Sequence, residues 1–155
     1  MINFKQLAKE GKLGEVYITM HADRVIELFG KPDFTGGASN KHRWDNIWRY
    51  GDLELGFEHT NKLLFHFAVN FIGEEIEPEQ GENLKFDSWV IKRGLTPAVF
   101  ISECKKEGIE IRELNTPWNH DCIEYVTEGG MTVIFDADDK HGGLLKFVVS
   151  DHEYS

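Results

Sequence analysis

Ile47-Trp48-Arg49-Tyr50-Gly51-Asp52-Leu53-Glu54-Leu55-Gly56-Phe57 is the stretch that decides the fold, because it reads as two neighbouring strands with the turn still visible between them. Arg43 to Tyr50 is aromatic-rich, Gly51-Asp52 is a turn-prone pair, and Leu53, Leu55 and Phe57 alternate with Asp52, Glu54 and Glu58. Alternation with a period of two belongs to a strand with one wet face. After the polar interruption His59-Thr60-Asn61-Lys62, a third run sets Leu63, Phe65, Phe67, Val69 and Phe71 against Leu64, His66, Ala68 and Asn70. Upstream, Met20, Val25, Ile26, Leu28 and Phe29 fall near helical spacing, and Gly30-Lys31-Pro32 ends the run. The pattern predicts one helix followed by three antiparallel strands.

The same order returns later in the chain. Thr96-Pro97 reads as an N-cap followed by proline at the first helical position, before Val99, Phe100, Ile101 and Cys104 in helical register, and Gly108 closes the helix. His120 to Thr127, then Met131, Val133 and Phe135 alternating with Thr132, Ile134 and Asp136, then Leu145, Phe147 and Val149, supply three strands. Phe57-Glu58 matches Phe135-Asp136, and Leu63-Leu64 matches Leu144-Leu145. The expectation is an α+β fold of two αβββ repeats forming one antiparallel sheet with helices packed on one face. It would be a single domain over residues 1–155, with a first repeat at about 15–72, a crossover at 73–85 and a second repeat at about 86–152.

A chain of 155 residues with 41% hydrophobic content can bury a core without disulfides or metals. Cys104 and Cys122 lack CxxC spacing and read as reduced thiols. Met1 to Glu10 carries Lys5, Lys9 and Glu10 among isolated apolar positions, so no signal core is expected there, and no apolar run reaches the roughly 18 residues that cross a bilayer. A cytoplasmic location follows as the expectation. The 27 acidic residues against 17 Lys plus Arg give a formal charge of −10, which disfavours nucleic acid and anionic membrane and favours basic partners.

One strand parity, made of Leu53, Leu55, Phe57, Phe65, Phe67, Val69, Met131, Val133, Phe135, Phe147 and Val149, is expected to face the helices. The other mixes Asp52, Glu54, Glu58, His66, Asn70, Thr132, Asp136 and Lys146 with Leu64, Ala68, Ile134, Leu144 and Val148, as a protein-binding sheet requires. Trp44, Trp48 and Tyr50 share one face, with Ile47 and Arg49 on the other. Such rings serve interface hot spots or complete a core. Trp118 precedes the equivalent strand of the second half and poses the same choice. The candidate partner-binding residues are therefore Trp44, Trp48, Tyr50, Asp52, Glu54, His66, Trp118 and Asp136. The acidic crossover residues Glu74, Glu75, Glu77, Glu79 and Glu82 read first as a solvated loop, and Asp136, Asp138 and Asp139 as a hairpin turn.

The residues supply no catalytic pattern. Asp136 to Gly142 begins like a calcium loop, but Lys140 takes the fifth ligand position, glycine comes one place late, and Phe147 stands at position twelve. His21, His42, His59, His66, His120, His141 and His152 show neither HxH nor HExxH spacing. His120-Asp121-Cys122 puts thiol-activating residue types side by side, yet strand neighbours point to opposite faces. Gly36-Gly37 lies in a plain loop rather than a phosphate-binding motif. No enzyme activity, metal or cofactor is expected.

Leu28-Phe29-Gly30-Lys31-Pro32, followed by Ile47 to Phe57 and Leu63 to Phe71, resembles the repeat unit of β-lactamase inhibitor protein-like folds and of small outer-membrane assembly lipoproteins. The longer run from Phe29 through Phe57 also resembles small acidic bacterial proteins of the toxin-immunity kind. The first half carries the match; the second lacks the Gly-x-Pro and Tyr-Gly-Asp features. No signal peptide or lipid-attachment cysteine is evident, which points away from the secreted and lipoprotein members. The resemblance implies an immunity protein that neutralises a cognate, basic toxin, a nuclease among the candidates, by covering its active or substrate-binding surface. The alternatives are a small-ligand or enzymatic domain using a pocket on the sheet, and a structural interaction module.

Overall fold

The computed structural model describes residues 1–71, 77–114, 121–137 and 143–150. In chain order the elements are β1 (Ile2–Asn3), α1 (Phe4–Glu10), β2 (Lys12–Leu13), β3 (Val16–Tyr17), α2 (Ala22–Phe29), β4 (Phe34–Gly36), β5 (Ile47–Tyr50), β6 (Leu53–Phe57), β7 (Leu64–Asn70), β8 (Phe86–Asp87), α3 (Pro97–Lys106), β9 (Ile111–Leu114), β10 (Cys122–Thr127), β11 (Met131–Asp136) and β12 (Leu144–Ser150). Among the described residues, β4-β5-β6-β7-β12-β11-β10-β9 form one eight-stranded sheet. Every neighbouring pair in it is antiparallel. Each half is thus a helix followed by a meander, and the last strands of the two meanders zip together in the middle. The three strands expected per half are present, and each half adds a short outer one, β4 or β9.

The register repeats between halves. Glu54, Leu55 and Gly56 face Ala68, Phe67 and His66, while Thr132, Val133 and Ile134 face Val148, Phe147 and Lys146. At the seam, Phe67 faces Val149 and Val69 faces Phe147, symmetric about the Ala68–Val148 pair. Both final strands also carry an extra residue at the same place: after the pairs Gly56–His66 and Ile134–Lys146, Phe57 faces Leu64 and Phe135 faces Leu144. A bulge interrupts strict alternation. It brings Leu64 and Leu144 into the core, 1% and 2% exposed, and turns Phe65 and Leu145 outward. The alternation read from sequence placed Phe65 inward and Leu64 and Leu144 outward; the bulges reverse all three.

The helices lie on one side of the sheet. Phe4 of α1 stacks on Phe86 and meets Phe147 edge-on, Phe29 of α2 meets the Tyr50 ring, and Phe100 of α3 packs against Phe135. Local sequence starts each helix as physics requires. Asn3 accepts from the Gln6 amide at 2.7 Å, the His21 ring from Asp23, and the Thr96 hydroxyl from Val99 at 3.1 Å. Helix α1 is additional to the two expected helices, and Asn3, the apolar trio Phe4, Leu7 and Ala8, and Gly11 together form its complete signal. The end of α1 docks on the β10–β11 turn, where the Gly129 amide donates to the Ala8 carbonyl at 2.9 Å.

The described part of the crossover is tied down rather than free. Asp33 accepts from the amides of Gly51 at 2.6 Å and Glu82 at 3.1 Å, and Asp52 accepts from the Glu79 amide at 2.6 Å. Lys85 donates to the Gly81 carbonyl and Gln80 accepts from the Phe86 amide, each at 2.7 Å. These bonds fix the backbone at Glu79 and Glu82, while the side chains of Glu77, Glu79 and Glu82 are exposed as expected of a solvated loop; Glu74, Glu75, Asp138 and Asp139 lie outside the described residues. Cys104 is buried and Cys122 half-buried, both as free thiols, and burial pushes the Cys104 thiol up to about 12.

Candidate functional site

On the face opposite the helices, register aligns Phe34, Arg49, Glu54 and Ala68 across the first half-sheet, with His66 one row away opposite Gly56. Glu54 bridges two partners: its Oε2 lies 3.1 Å from His66 Nε2 and its Oε1 accepts from Arg49 Nη2 at 3.3 Å. The His66 hydrogen bond, reinforced by Arg49, holds the Glu54 carboxyl below the ordinary glutamate range despite partial burial. Position 56 explains how the imidazole fits. A Cβ on Gly56 would stand 2.3 Å from His66 Cε1, so the ring lies flat across a strand that has no side chain there.

The second half provides an internal reference for this cluster. By the repeated register, Arg49, Glu54 and His66 correspond to Val126, Thr132 and Lys146, and Gly56 corresponds to Ile134. The same backbone arrangement therefore forms without the Arg–Glu–His network and without the glycine. The network is not a requirement of the sheet.

Of the residues singled out from sequence, Glu54 and His66 come together, and Arg49, which was set on the strand face opposite Trp48 and Tyr50 and not selected, joins them. Tyr50 and Trp48 do not serve as exposed anchors. Tyr50 is fully buried, with its hydroxyl donating to the Gly30 carbonyl at 2.7 Å, and burial together with Asp33 raises its pKa. Trp48 is 7% exposed, donates to the Asp45 carbonyl and packs against Phe57. Both face the helices because they pair with Leu53 and Leu55 on the core side. Asp52 is a clamp on the crossover. Asp136 stands opposite Cys122 on β11, three strands from Glu54. Trp118 lies outside the described residues. The open face is also less acidic than expected, since Arg49, Arg112 and Lys146 balance Glu54, Glu124 and Asp136 on the rows that register defines.

At the outer strand β4, on the helix side that Trp48 faces, an open cleft of about 560 Å³ lies between α2 and the β4–β5 connection, and Phe34, in register with Arg49, stands at the sheet edge between it and the open face. Trp44 is half-buried there, edge-on to Trp48 and to Phe57, with the Lys62 ammonium 5.0 Å above its ring centroid. Ile26 and Phe34, exposed at 42% and 56%, complete an apolar lining, and Lys31 and Arg43 stand at its rim. Spacing alone misses this cleft, because it joins the exposed side of a helix to an edge strand too short to read. Among the described residues no group of three or more His, Cys, Asp or Glu is arranged to hold a metal ion.

No protein-family model matches the chain, and no curated protein matches it. Among solved structures it is similar to a DUF4309 family protein (YjgB) from Bacillus subtilis subsp. subtilis str. 168, at 20% identity and a TM-score of 0.42, over 89% of this chain and 84% of that one.

Proposed function

We propose that this protein is a cytoplasmic binding protein of the immunity type, which inhibits a cognate toxin by covering its active or substrate-binding surface. The docking surface is the open face of the first half-sheet, continued round the β4 edge into the cleft. One observation carries this reading: the Arg49–Glu54–His66 network occupies positions where the equivalent half has Val126, Thr132 and Lys146. A charged cluster that the fold does without calls for a role outside the fold. The charged cluster on the open face and the apolar cleft round the β4 edge, with Phe34 common to both, fit an interface with anchors and a selecting rim. The net charge of −10 favours a partner that is basic overall. The resemblance of the Phe29 to Phe57 run to toxin-immunity proteins supports the same reading.

The test is co-expression with the product of the adjacent upstream reading frame. Capture of that product and loss of its toxicity are expected, and the triple variant Arg49→Val, Glu54→Thr, His66→Lys, which installs the residues of the other half, is expected to weaken capture by at least about tenfold, mainly through faster dissociation. An adjacent product that is neither captured nor neutralised by the wild-type chain removes the proposal. A second reading is favoured by the cleft, whose volume of about 560 Å³ falls in the range of small-ligand sites.

A further inference from the structure

We infer that the β4 cleft receives an acidic–aromatic segment of the partner protein: an aromatic side chain lying on Trp44, Ile26 and Phe34, with a neighbouring carboxylate between Lys31 and Arg43. The inference rests on the protein-binding reading and specifies what this part of the surface recognises.

Both carboxylates beside the cleft are committed to the chain's own donors. Asp45 accepts from the Thr35 hydroxyl at 2.9 Å and from the Ala38 amide at 3.3 Å, and Asp33 accepts from the Gly51 and Glu82 amides. Neither Lys31 nor Arg43 is among the ion pairs of the described residues, and both are exposed. The nearest cation–π contact already places the Lys62 ammonium over Trp44. The donors to Asp33 and Asp45 are neutral and leave both negative charges in place, so Lys31, Arg43 and Lys62 outnumber Asp33 and Asp45 by one at the cleft. An incoming carboxylate meets the two rim cations that hold no ion pair among the described residues, whereas a second cation brought to the ring meets Lys62 already there. The apolar lining supplies the remainder. Ile26 and Phe34 are large hydrophobic side chains left exposed side by side with an indole, an arrangement that an aromatic ring would desolvate. A chain that is strongly acidic overall thus carries a local basic rim around an aromatic floor. A mainly basic partner would be oriented by the single acidic–aromatic element that this rim selects.

The experiment uses the intact, isotopically labelled protein and two blocked tripeptides as probes, one with phenylalanine next to aspartate and one with phenylalanine next to lysine. The indole N–H signals of Trp44 and Trp48 are followed by NMR. The aspartate probe is expected to shift them saturably and to bind at least about fivefold more tightly than the lysine probe, with added salt narrowing the difference. The variant K31Q/R43Q, altered only at exposed side chains, is expected to abolish the preference. Equal affinity of the two probes, or no saturation up to about 10 mM, overturns the inference. Capture of the adjacent-frame product separates this outcome from that of the parent reading. Undiminished capture by K31Q/R43Q removes the cleft inference and leaves the binding protein intact. Selective peptide binding without any capture or neutralisation by the wild type supports the cleft's ligand chemistry and removes the immunity reading.

Discussion

At position 56 a missing side chain makes room for an imidazole, and the consequence is testable one atom at a time. Gly56→Ala adds a Cβ that collides with the His66 ring rather than with backbone, so the expected result is a folded protein, destabilised by no more than about 1 kcal/mol, in which the ring has left Glu54. Histidine-ring NMR signals would report that displacement. Glu54→Gln is expected to cost about 1 kcal/mol at neutral pH, a value limited by solvent screening of a partly exposed cluster. The sign of its pH dependence follows from the direction of the shift. The folded carboxyl titrates below its unfolded range, so its contribution is complete above that range and disappears as pH falls through the folded value. Urea midpoints of wild type and E54Q should therefore converge in acid. At this scale the sequence was legible in part. Glycine amid Leu53, Leu55 and Phe57 is a recognised sign of close approach, whereas Trp48 and Tyr50 could not be assigned by type, since an aromatic ring on a strand suits core and interface equally.

Elements were legible where their periodicity was long and illegible where a single residue broke it. Helix α3 was readable from Thr96-Pro97, and the strand order from alternating apolar positions. The bulges at Phe65 and Leu145 were not, because an inserted residue reverses the inside–outside assignment of everything before it without altering composition. Edge strand β4, Phe34–Gly36, is three residues long and escapes any window. The contacts between elements yield two predictions. A Cβ on Gly129 would stand 2.6 Å from the Gly11 amide nitrogen and 2.7 Å from the Ala8 carbonyl oxygen, both unyielding backbone. Gly129→Ala is accordingly expected to lower stability by about 2 kcal/mol in chemical denaturation, by prising α1 from the β10–β11 turn. Asp33→Ala, which strips acceptors from the Gly51 and Glu82 amides, is expected to cost about 1–3 kcal/mol and to raise amide exchange at those two positions.

Across the whole molecule, the two-unit order was readable because helix and strand periods recur in sequence; charge placement was not, because net charge says nothing of where each sign resides. The −10 total coexists with a sheet face on which positive and negative side chains cancel. With the two meanders joined at a central apolar seam and Phe4 bridging Phe86 to Phe147, far- and near-ultraviolet circular dichroism are expected to report one coincident unfolding transition. The matched register has a further implication for protein engineering. Because positions 126, 132, 134 and 146 reproduce the backbone frame of 49, 54, 56 and 66, installing arginine, glutamate, glycine and histidine there would graft the cluster onto the opposite lobe. Such a chimera would hold two copies of the Arg–Glu–His cluster, related by the molecule's own pseudo-dyad, and under the proposed function would present two docking patches where the wild type presents one.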